Sequence, residues 1–371
     1  MDILIITTFT DSLLKAKLIP LVNLTEVSSV VLICDKQGPK IDKVRYKVPP
    51  TKYYRFLLHK SIAKLFVLYQ TAKRNKYDFV MAYNIFPHGI NAWLIGKMMK
   101  LPIIIHLPGG YAELDIKKNN SDNSLIKSFP ILSTFVKIIN EFVIRRVDYI
   151  FVPGSNTKEY LIRKSNFDPQ KIFFIHSSIN TYRFMPRKDV KFYDLILTSA
   201  FREVKRVDLF IKIISLMKKE YPKIKAIVVG DGPLKDSLNN MILELNLREN
   251  VQLIGFEENP EKYYWKSKIF VLASTTEGIS TAVMEAMACG LPAVVSDVGD
   301  MKDIIVDNIT GFIIKPEDNL NMYIKKIKLL LNDFELYERF SLNAREIIEE
   351  NHSFKVIQSK WHNFFTQFNE T

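Results

Sequence analysis

Seven residues separate Glu277 from Glu285 in the stretch EGISTAVMEAMACGLPAVVSDVGDMKDIIVDNITGF. An ionised carboxylate accepts two hydrogen bonds at once, so acids set this way can grip ring hydroxyls. Between them Gly278 admits a ligand without a Cβ in the way. Ser280, Thr281 and Ala282 then open a helix, whose unpaired amides and positive dipole end suit a diphosphate. Glu285 falls a turn into that helix on the face of Thr281, placed to accept both hydroxyls of a ribose. Glu277 precedes the helix, placed for sugar hydroxyls or for positive charge near an anomeric carbon. Spacing alone reads equally well as a cap-region acid and a solvated helix acid; the whole stretch carries the argument.

Arg202 and Lys205 lie in FREVKRVDLF, between a strand end and a helix start. Cations are misplaced at a helix start on dipole grounds unless an anion sits there. Two of them could neutralise a leaving diphosphate. VVGDGP supplies Gly230 and Gly232 in a tight turn after a strand, a weak signal by itself. The chain offers no Ser–His–Asp or Cys–His arrangement and no metal-ligand spacing. No resident metal or cofactor is expected.

These groups must be held by alternating apolar strands and amphipathic helices, the pattern of parallel α/β sheets. In the first half strands are expected at 2–8, 27–34, 79–84, 102–107, 149–154 and 172–176, with helices around 53–75, 88–100, 125–146 and 155–165. The scheme restarts at 194–200. Strands at 225–232, 251–256, 269–274, 292–297 and near 312–314 follow, with helices at 206–220, 233–246, 280–289, 319–332 and 334–350. That predicts an N-terminal domain over 1–180, a second over 181–350, a linker in 177–193, and a helix over 351–371 that crosses back to the first domain. Ligands of doubly wound sheets sit at the carboxyl ends of their strands, here in an expected central cleft between the two domains.

With 371 residues and 47% apolar content, two substantial cores can be buried. Cys34 and Cys289 are the only cysteines. Far apart and among apolar neighbours, they read as reduced core residues of a cytoplasmic protein. The start MDILIITTF lacks the basic flank of a signal peptide and reads as a buried strand. No stretch is long and apolar enough for a membrane span.

The net charge of +12 is lopsided: residues 1–180 hold 26 Lys and Arg against 13 Asp and Glu, the remainder 26 against 27. A basic face attracts phosphates or anionic lipid; a Lys-rich composition explains solvated lysines but not the asymmetry. The stretches KYYRFLLHKSIAKLFVLYQ and IKSFPILSTFVKIINEFVIRR are amphipathic and suit docking at the inner face of an anionic membrane. For 125–146 the expected destination of the apolar face is the core. Nucleic acid is not an expected partner, since no reading module is present.

Taken together, SAFREVKRVDLF, VVGDGP, VQLIGF and STTEGISTAVMEAMACGLPAVVSDVGDMKDIIVDNITGFII resemble the retaining glycosyltransferases of family 4, in content, order and spacing. The resemblance implies the GT-B fold, two Rossmann-like domains facing a cleft. It implies transfer of a hexose-type sugar from a nucleotide-sugar donor, such as a UDP- or GDP-sugar, with retained configuration and no bound metal. By its implication Arg202 and Lys205 match the cation pair at the donor diphosphate, and Glu277 the first motif acid beside the hexose. Gly278, Ile279 and Ser280 match positions near the sugar hydroxyls, Thr281 and Ala282 the diphosphate-binding amides, and Glu285 the ribose-binding acid. Gly230, Gly232 and Phe256 fall on the donor side.

NIFPHGINAWLIGKMMKLPIIIHLPGGYAELDI resembles the family's first domain more loosely. It points to His106 as a donor-sugar or acceptor contact, to Gly109 and Gly110 on the acceptor side, and to a structural role for His88. The family's Gly-rich turn after the first strand is absent, since the segment here reads TTFTDSLLKA. The implied acceptor is a glycan, lipid-linked, in envelope polysaccharide assembly. Other readings are a sugar-nucleotide epimerase, a small-molecule glycosyltransferase and, of another class, a non-catalytic subunit of a glycosylation complex.

Overall fold

The runs DILII, SVVLI, FVMAY and IIIH are β-branched or apolar without alternation, the signature of strands buried on both faces. In the computed structural model, which describes residues 1–51, 53, 60–115, 130–315 and 320–370, they form the middle of an all-parallel sheet. In chain order the first half runs β1 (Asp2–Ile6), α1 (Asp11–Val22), β2 (Ser29–Ile33), β3 (Val44–Lys47), α2 (Lys60–Arg74), β4 (Phe79–Tyr83), α3 (Ile90–Met99), β5 (Ile103–His106), α4 (Pro130–Ile144), β6 (Tyr149–Val152), α5 (Ser155–Ser165) and β7 (Ile172–Phe174). The sheet order is β3-β2-β1-β4-β5-β6-β7, so it reverses direction of growth between β1 and β4.

The second half runs β8 (Tyr193–Thr198), α6 (Val207–Met217), β9 (Ala226–Val229), α7 (Lys235–Glu244), β10 (Val251–Ile254), α8 (Glu261–Tyr264), β11 (Ser267–Leu272), α9 (Thr281–Ala288), β12 (Ala293–Ser296), β13 (Gly311–Ile314), α10 (Leu320–Asn332), α11 (Phe334–His352) and α12 (Phe354–Glu370). Its sheet has the order β10-β9-β8-β11-β12-β13, again parallel throughout. Two compact units result: Met1–Ser178 with Phe354–Thr371, and Ile179–Ser353. Cys34 and Cys289 are free thiols, one in each core.

In the first unit α2, α3 and α4 cover one face of the sheet through Val67, Leu68, Ala92, Ile95, Val143 and Ile144. The other face is covered by α1 and α12. There Trp361, Phe364 and Phe365 are fully buried against Phe79, Tyr149 and Phe151, with ring centroids as close as 4.8 Å. Helix α12 thus returns to complete a core begun by β1.

The structure differs from the sequence expectation in four places. Helix α1 was not expected, because Pro20 lies inside it and Lys15 and Lys17 interrupt its apolar stripe; Pro20 is tolerated in the last turn. Strand β3 was not expected either. It reads VRYK because it is an edge strand, paired only with β2, where charged side chains reach water. The short α8 was also missed. Finally, α4 sends Val136, Val143 and Ile144 to the core but leaves Phe135, Ile138 and Phe142 exposed, so its apolar surface is not all spent on the core. The expected helices at 53–75 and 125–146 begin partly outside the described residues, at 54–59 and 116–129.

Candidate functional site

The second unit brings Lys205 and Glu277 into direct contact. Lys205 Nζ donates to Glu277 Oε1 at 2.6 Å, and the Glu277 side chain is only 8% exposed. Neither residue lies in a regular element. Lys205 ends a 3-10 turn, Glu203–Lys205, between β8 and α6. Glu277 sits in the loop between β11 and α9. Backbone bonds join the two loops: Thr275 N–H donates to the carbonyl of Val204 at 2.9 Å. The cation and the acid are therefore fixed through main chain on both sides.

A second clasp explains the DVGD block. Asp300 N–H donates to Gly278 O at 3.0 Å, closing the 297–300 loop over the Glu277–Gly278 turn. Gly299 adopts φ +58, and a Cβ there would lie 1.9 Å from the Glu277 carbonyl oxygen. Only glycine lets these loops close. Gly230 does the same on the other side of β8, where a Cβ would lie 1.8 Å from the Ser199 carbonyl oxygen. Phe201 N–H donates to Asp231 O at 2.9 Å, and Leu234 N–H to Phe201 O at 3.2 Å. The Gly230–Gly232 turn thus grips the backbone immediately before Arg202. Arg202 itself is exposed at the head of the 3-10 turn.

Ser280 caps α9 by backbone only. Its φ and ψ are −77 and 115, and its side chain makes no cap bond to the first-turn amides. Ile279 and Ala282 pack on the core, which fixes the backbone carrying the Thr281 and Ala282 amides. Glu285 lies one turn on and has different neighbours from Glu277. Tyr264 Oη donates to its Oε2 at 3.2 Å. Burial pushes the Glu285 carboxyl up to about 7, against the opposing pull of the Tyr264 hydrogen bond and of Arg183. Arg183 is held in turn by Glu261, at 2.8 Å. Phe256, just after β10, is 70% exposed.

Tyr264, Arg183 and Glu261 were not picked out from sequence. They lie in α8 or far up the chain, and nothing in EKYY signals a site.

In the first unit His106 ends β5 and is 1% exposed, and among the described residues neither ring nitrogen has a hydrogen-bond partner. Burial holds its imidazole well below the usual range, and Lys17 and His176 act in the same direction. The next turn is organised by Glu113, which sequence reading also missed. Its carboxylate accepts from Gly109 N at 2.7 Å and from Ile85 N at 3.1 Å. It thereby ties the loop after β5 to the loop after β4, and burial raises its carboxyl to about 7. Gly110 takes φ +66 in the same turn. Lys17, on α1, is buried over the rings of Phe9 and Tyr83, at 5.5 and 5.2 Å, and its ammonium is lowered to about 7 by desolvation. These groups gather at the carboxyl ends of the strands flanking the reversal between β1 and β4. His88 is a buried structural group, with Nδ1 against Tyr83 O at 3.2 Å and Nε2 against Lys64 Nζ at 2.9 Å.

Two family models match the chain: glycosyl transferases group 1 over residues 178–347, and glycosyltransferase family 4 over residues 28–183. The UDP-Gal:alpha-D-GlcNAc-diphosphoundecaprenol alpha-1,3-galactosyltransferase of Escherichia coli is 26% identical over 341 residues, covering 87% of this chain and 84% of that protein. The N-acetylgalactosamine-N,N'-diacetylbacillosaminyl-diphospho-undecaprenol 4-alpha-N-acetylgalactosaminyltransferase of Campylobacter jejuni is 28% identical over 222 residues, 57% of this chain and 60% of that one. The chain thus matches less than two thirds of this second relative. Among solved structures, Anabaena HepE in complex with UDP-glucose aligns over 99% of this chain and 100% of its own, with TM-score 0.78 and 16% identity. That likeness is one of fold: two parallel-sheet Rossmann-like units of the GT-B kind.

Proposed function

We propose that this chain, which belongs to the group 1 and family 4 glycosyltransferases, moves a hexose-type sugar from a UDP- or GDP-sugar to a hydroxyl of a lipid-linked glycan, with retention, in envelope polysaccharide synthesis. The observation that carries the reading is the Lys205–Glu277 contact at 2.6 Å, clamped by the Thr275–Val204 and Asp300–Gly278 backbone bonds. The clamp fixes both loops beforehand, so only the two side chains turn when donor binds and charge develops on a leaving diphosphate.

In this reading the donor lies on the second unit. The amides of Thr281 and Ala282 and the cations Arg202 and Lys205 meet the diphosphate, and Glu285, beside Tyr264, accepts the ribose hydroxyls. Phe256 offers a ring for the base, and Gly278, Ile279 and Ser280 border the sugar. When donor binds, Lys205 exchanges its bond to Glu277 for the phosphate, and Glu277 turns to the hexose. The leaving phosphate oxygen then takes the acceptor proton on the same face, so no protein nucleophile is used. The leaving charge is met by side-chain cations and amides rather than a metal. His106 and the Gly109–Gly110 turn serve the sugar or acceptor side. The two bacterial relatives support the acceptor class, since both are named for diphosphoundecaprenol-linked acceptors.

The test is a panel of nucleotide sugars read by thermal shift, followed by mass spectrometry and NMR of the product on an undecaprenyl-diphosphate-linked acceptor. An α-linked product from an α-linked donor, formed equally with chelator present, is expected. An inverted product, strict metal dependence, or conversion of donor without acceptor would overturn the reading; the last would indicate an epimerase.

A further inference from the structure

The two helical layers of the first unit differ in what they show to water. Among the described residues, α1 and α12 expose no large apolar side chain. The opposite layer exposes Ile62 and Phe66 on α2, Met98 on α3, and Phe135, Ile138 and Phe142 on α4, from 40 to 62% exposed. These three helices are neighbours, sharing one core beneath the sheet, so the six side chains lie on the outside of a single layer. The Trp93 and Phe142 rings meet edge-on at 5.4 Å and join α3 to α4. A concentration of this kind on one layer differs from the scattered apolar residues any surface carries.

Charge identifies the occupant. Among the described residues α2, α3 and α4 contain one acid, Glu141, and Arg145 neutralises it at 3.0 Å. Lys97 and Lys100 flank Met98, and Arg146 stacks over the Phe142 ring at 3.7 Å. A second copy of this face would bring cations against cations. An anionic bilayer satisfies both features, with apolar side chains at headgroup depth and lysines and arginines among the phosphates. Among the described residues no helix is long and apolar enough to cross a membrane, so the contact is one of lying on the surface.

We infer that the outer face of α2, α3 and α4 is the surface by which this protein seats itself on an anionic lipid bilayer, Phe135 and Ile138 entering deepest. The inference rests on the lipid-linked acceptor proposed above and adds the surface that meets the lipid.

The experiment is co-sedimentation of the full chain with vesicles of phosphatidylcholine mixed with phosphatidylglycerol, against phosphatidylcholine alone. The parent protein should bind the mixed vesicles and be released by salt. The double variant Phe135→Glu, Ile138→Glu should lose at least about tenfold in partitioning while melting at the parent's temperature. Leu342→Glu, at an equally exposed position on α11, should bind like the parent. Equal binding by the double variant and the parent would overturn the inference. So would failure of the parent to bind mixed vesicles, or a parent dimer by light scattering that the double variant dissolves. Transfer to a detergent-soluble short-chain acceptor is measured alongside. It should persist in the double variant, and its absence in the parent would count against the acceptor reading alone.

Discussion

In the second unit both motif carboxylates of the candidate site already have side-chain partners. Lys205 has Glu277, Glu285 has Tyr264, and the loops that carry them are bonded backbone to backbone through Thr275–Val204 and Asp300–Gly278. In the first unit His106 is buried with both nitrogens unpartnered among the described residues, and Lys17 is buried on aromatic faces with its charge destabilised. The same unit leaves a layer of apolar side chains in water. On the proposed reading, one unit is assembled beforehand around charges that recur in every nucleotide donor. The other retains unmet polar and apolar demand, the condition of a surface finished by what it binds. On that reading preorganisation lies where the ligand is constant.

The contrast can be attacked most directly at Lys205. Lys205→Ala should lower kcat by about 10²–10³-fold, the usual cost of removing one charge-stabilising donor, with the circular dichroism melt little changed. Near-normal turnover would remove the charge pair from the mechanism. Next comes Gly299→Ala, which places a Cβ against the Glu277 carbonyl oxygen. Displacing that turn by an ångström should cost about 10²-fold in activity and about 1–3 kcal/mol in stability. A silent Gly299→Ala would show that the clasp is not what fixes Glu277.

Glu285→Gln should weaken UDP binding by roughly tenfold, as a charge-assisted pair of hydrogen bonds is lost; titration calorimetry measures it. The pH dependence carries a sign that can be checked. Burial holds the folded carboxyl up at about 7, while the unfolded one titrates at the ordinary 4.5. The folded state therefore prefers the proton, and stability falls as pH rises from 4.5 to 7. Above pH 7 the Gln variant should melt higher than the parent, by an amount worth on the order of 1–3 kcal/mol. If Glu285 holds the ribose as proposed, nucleotide affinity should move the opposite way, rising through pH 7 as its carboxylate ionises. The smallest effect is expected at His106→Ala, about fivefold in kcat/KM, the worth of one hydrogen bond to a sugar or acceptor. No change at all would make the ring a core residue and weaken the distinction between the units.

Much of the second unit was legible in sequence because its chemistry is written in contiguous residues. The acid, the glycine and the helix start follow one another from Glu277 to Glu285, and the glycines at 230 and 299 mark close backbone approaches. What sequence could not supply was partners distant in the chain. Tyr264 reaches Glu285 across 21 residues, and Glu113 joins loops from two strands. Helix α1 and strand β3 escaped because tertiary position overrode local pattern, a buried lysine on one and an exposed edge on the other. The direction of α4's second apolar face was equally unreadable, since periodicity reports that a helix has a broad apolar face but not which part of it the sheet takes.

Helix α12 sets an order on synthesis. Its Trp361, Phe364 and Phe365 fill the face of the sheet that contains β1, yet they follow the whole second unit in the chain. A ribosome finishes residues 179–353 before the first unit's core can close, so the second unit can fold while the first still waits with half its sheet uncovered. A message cut short before residue 354 would yield a chain with a complete second unit and an unsealed first unit. Such a product is a substrate for chaperones and proteases rather than a partly active enzyme.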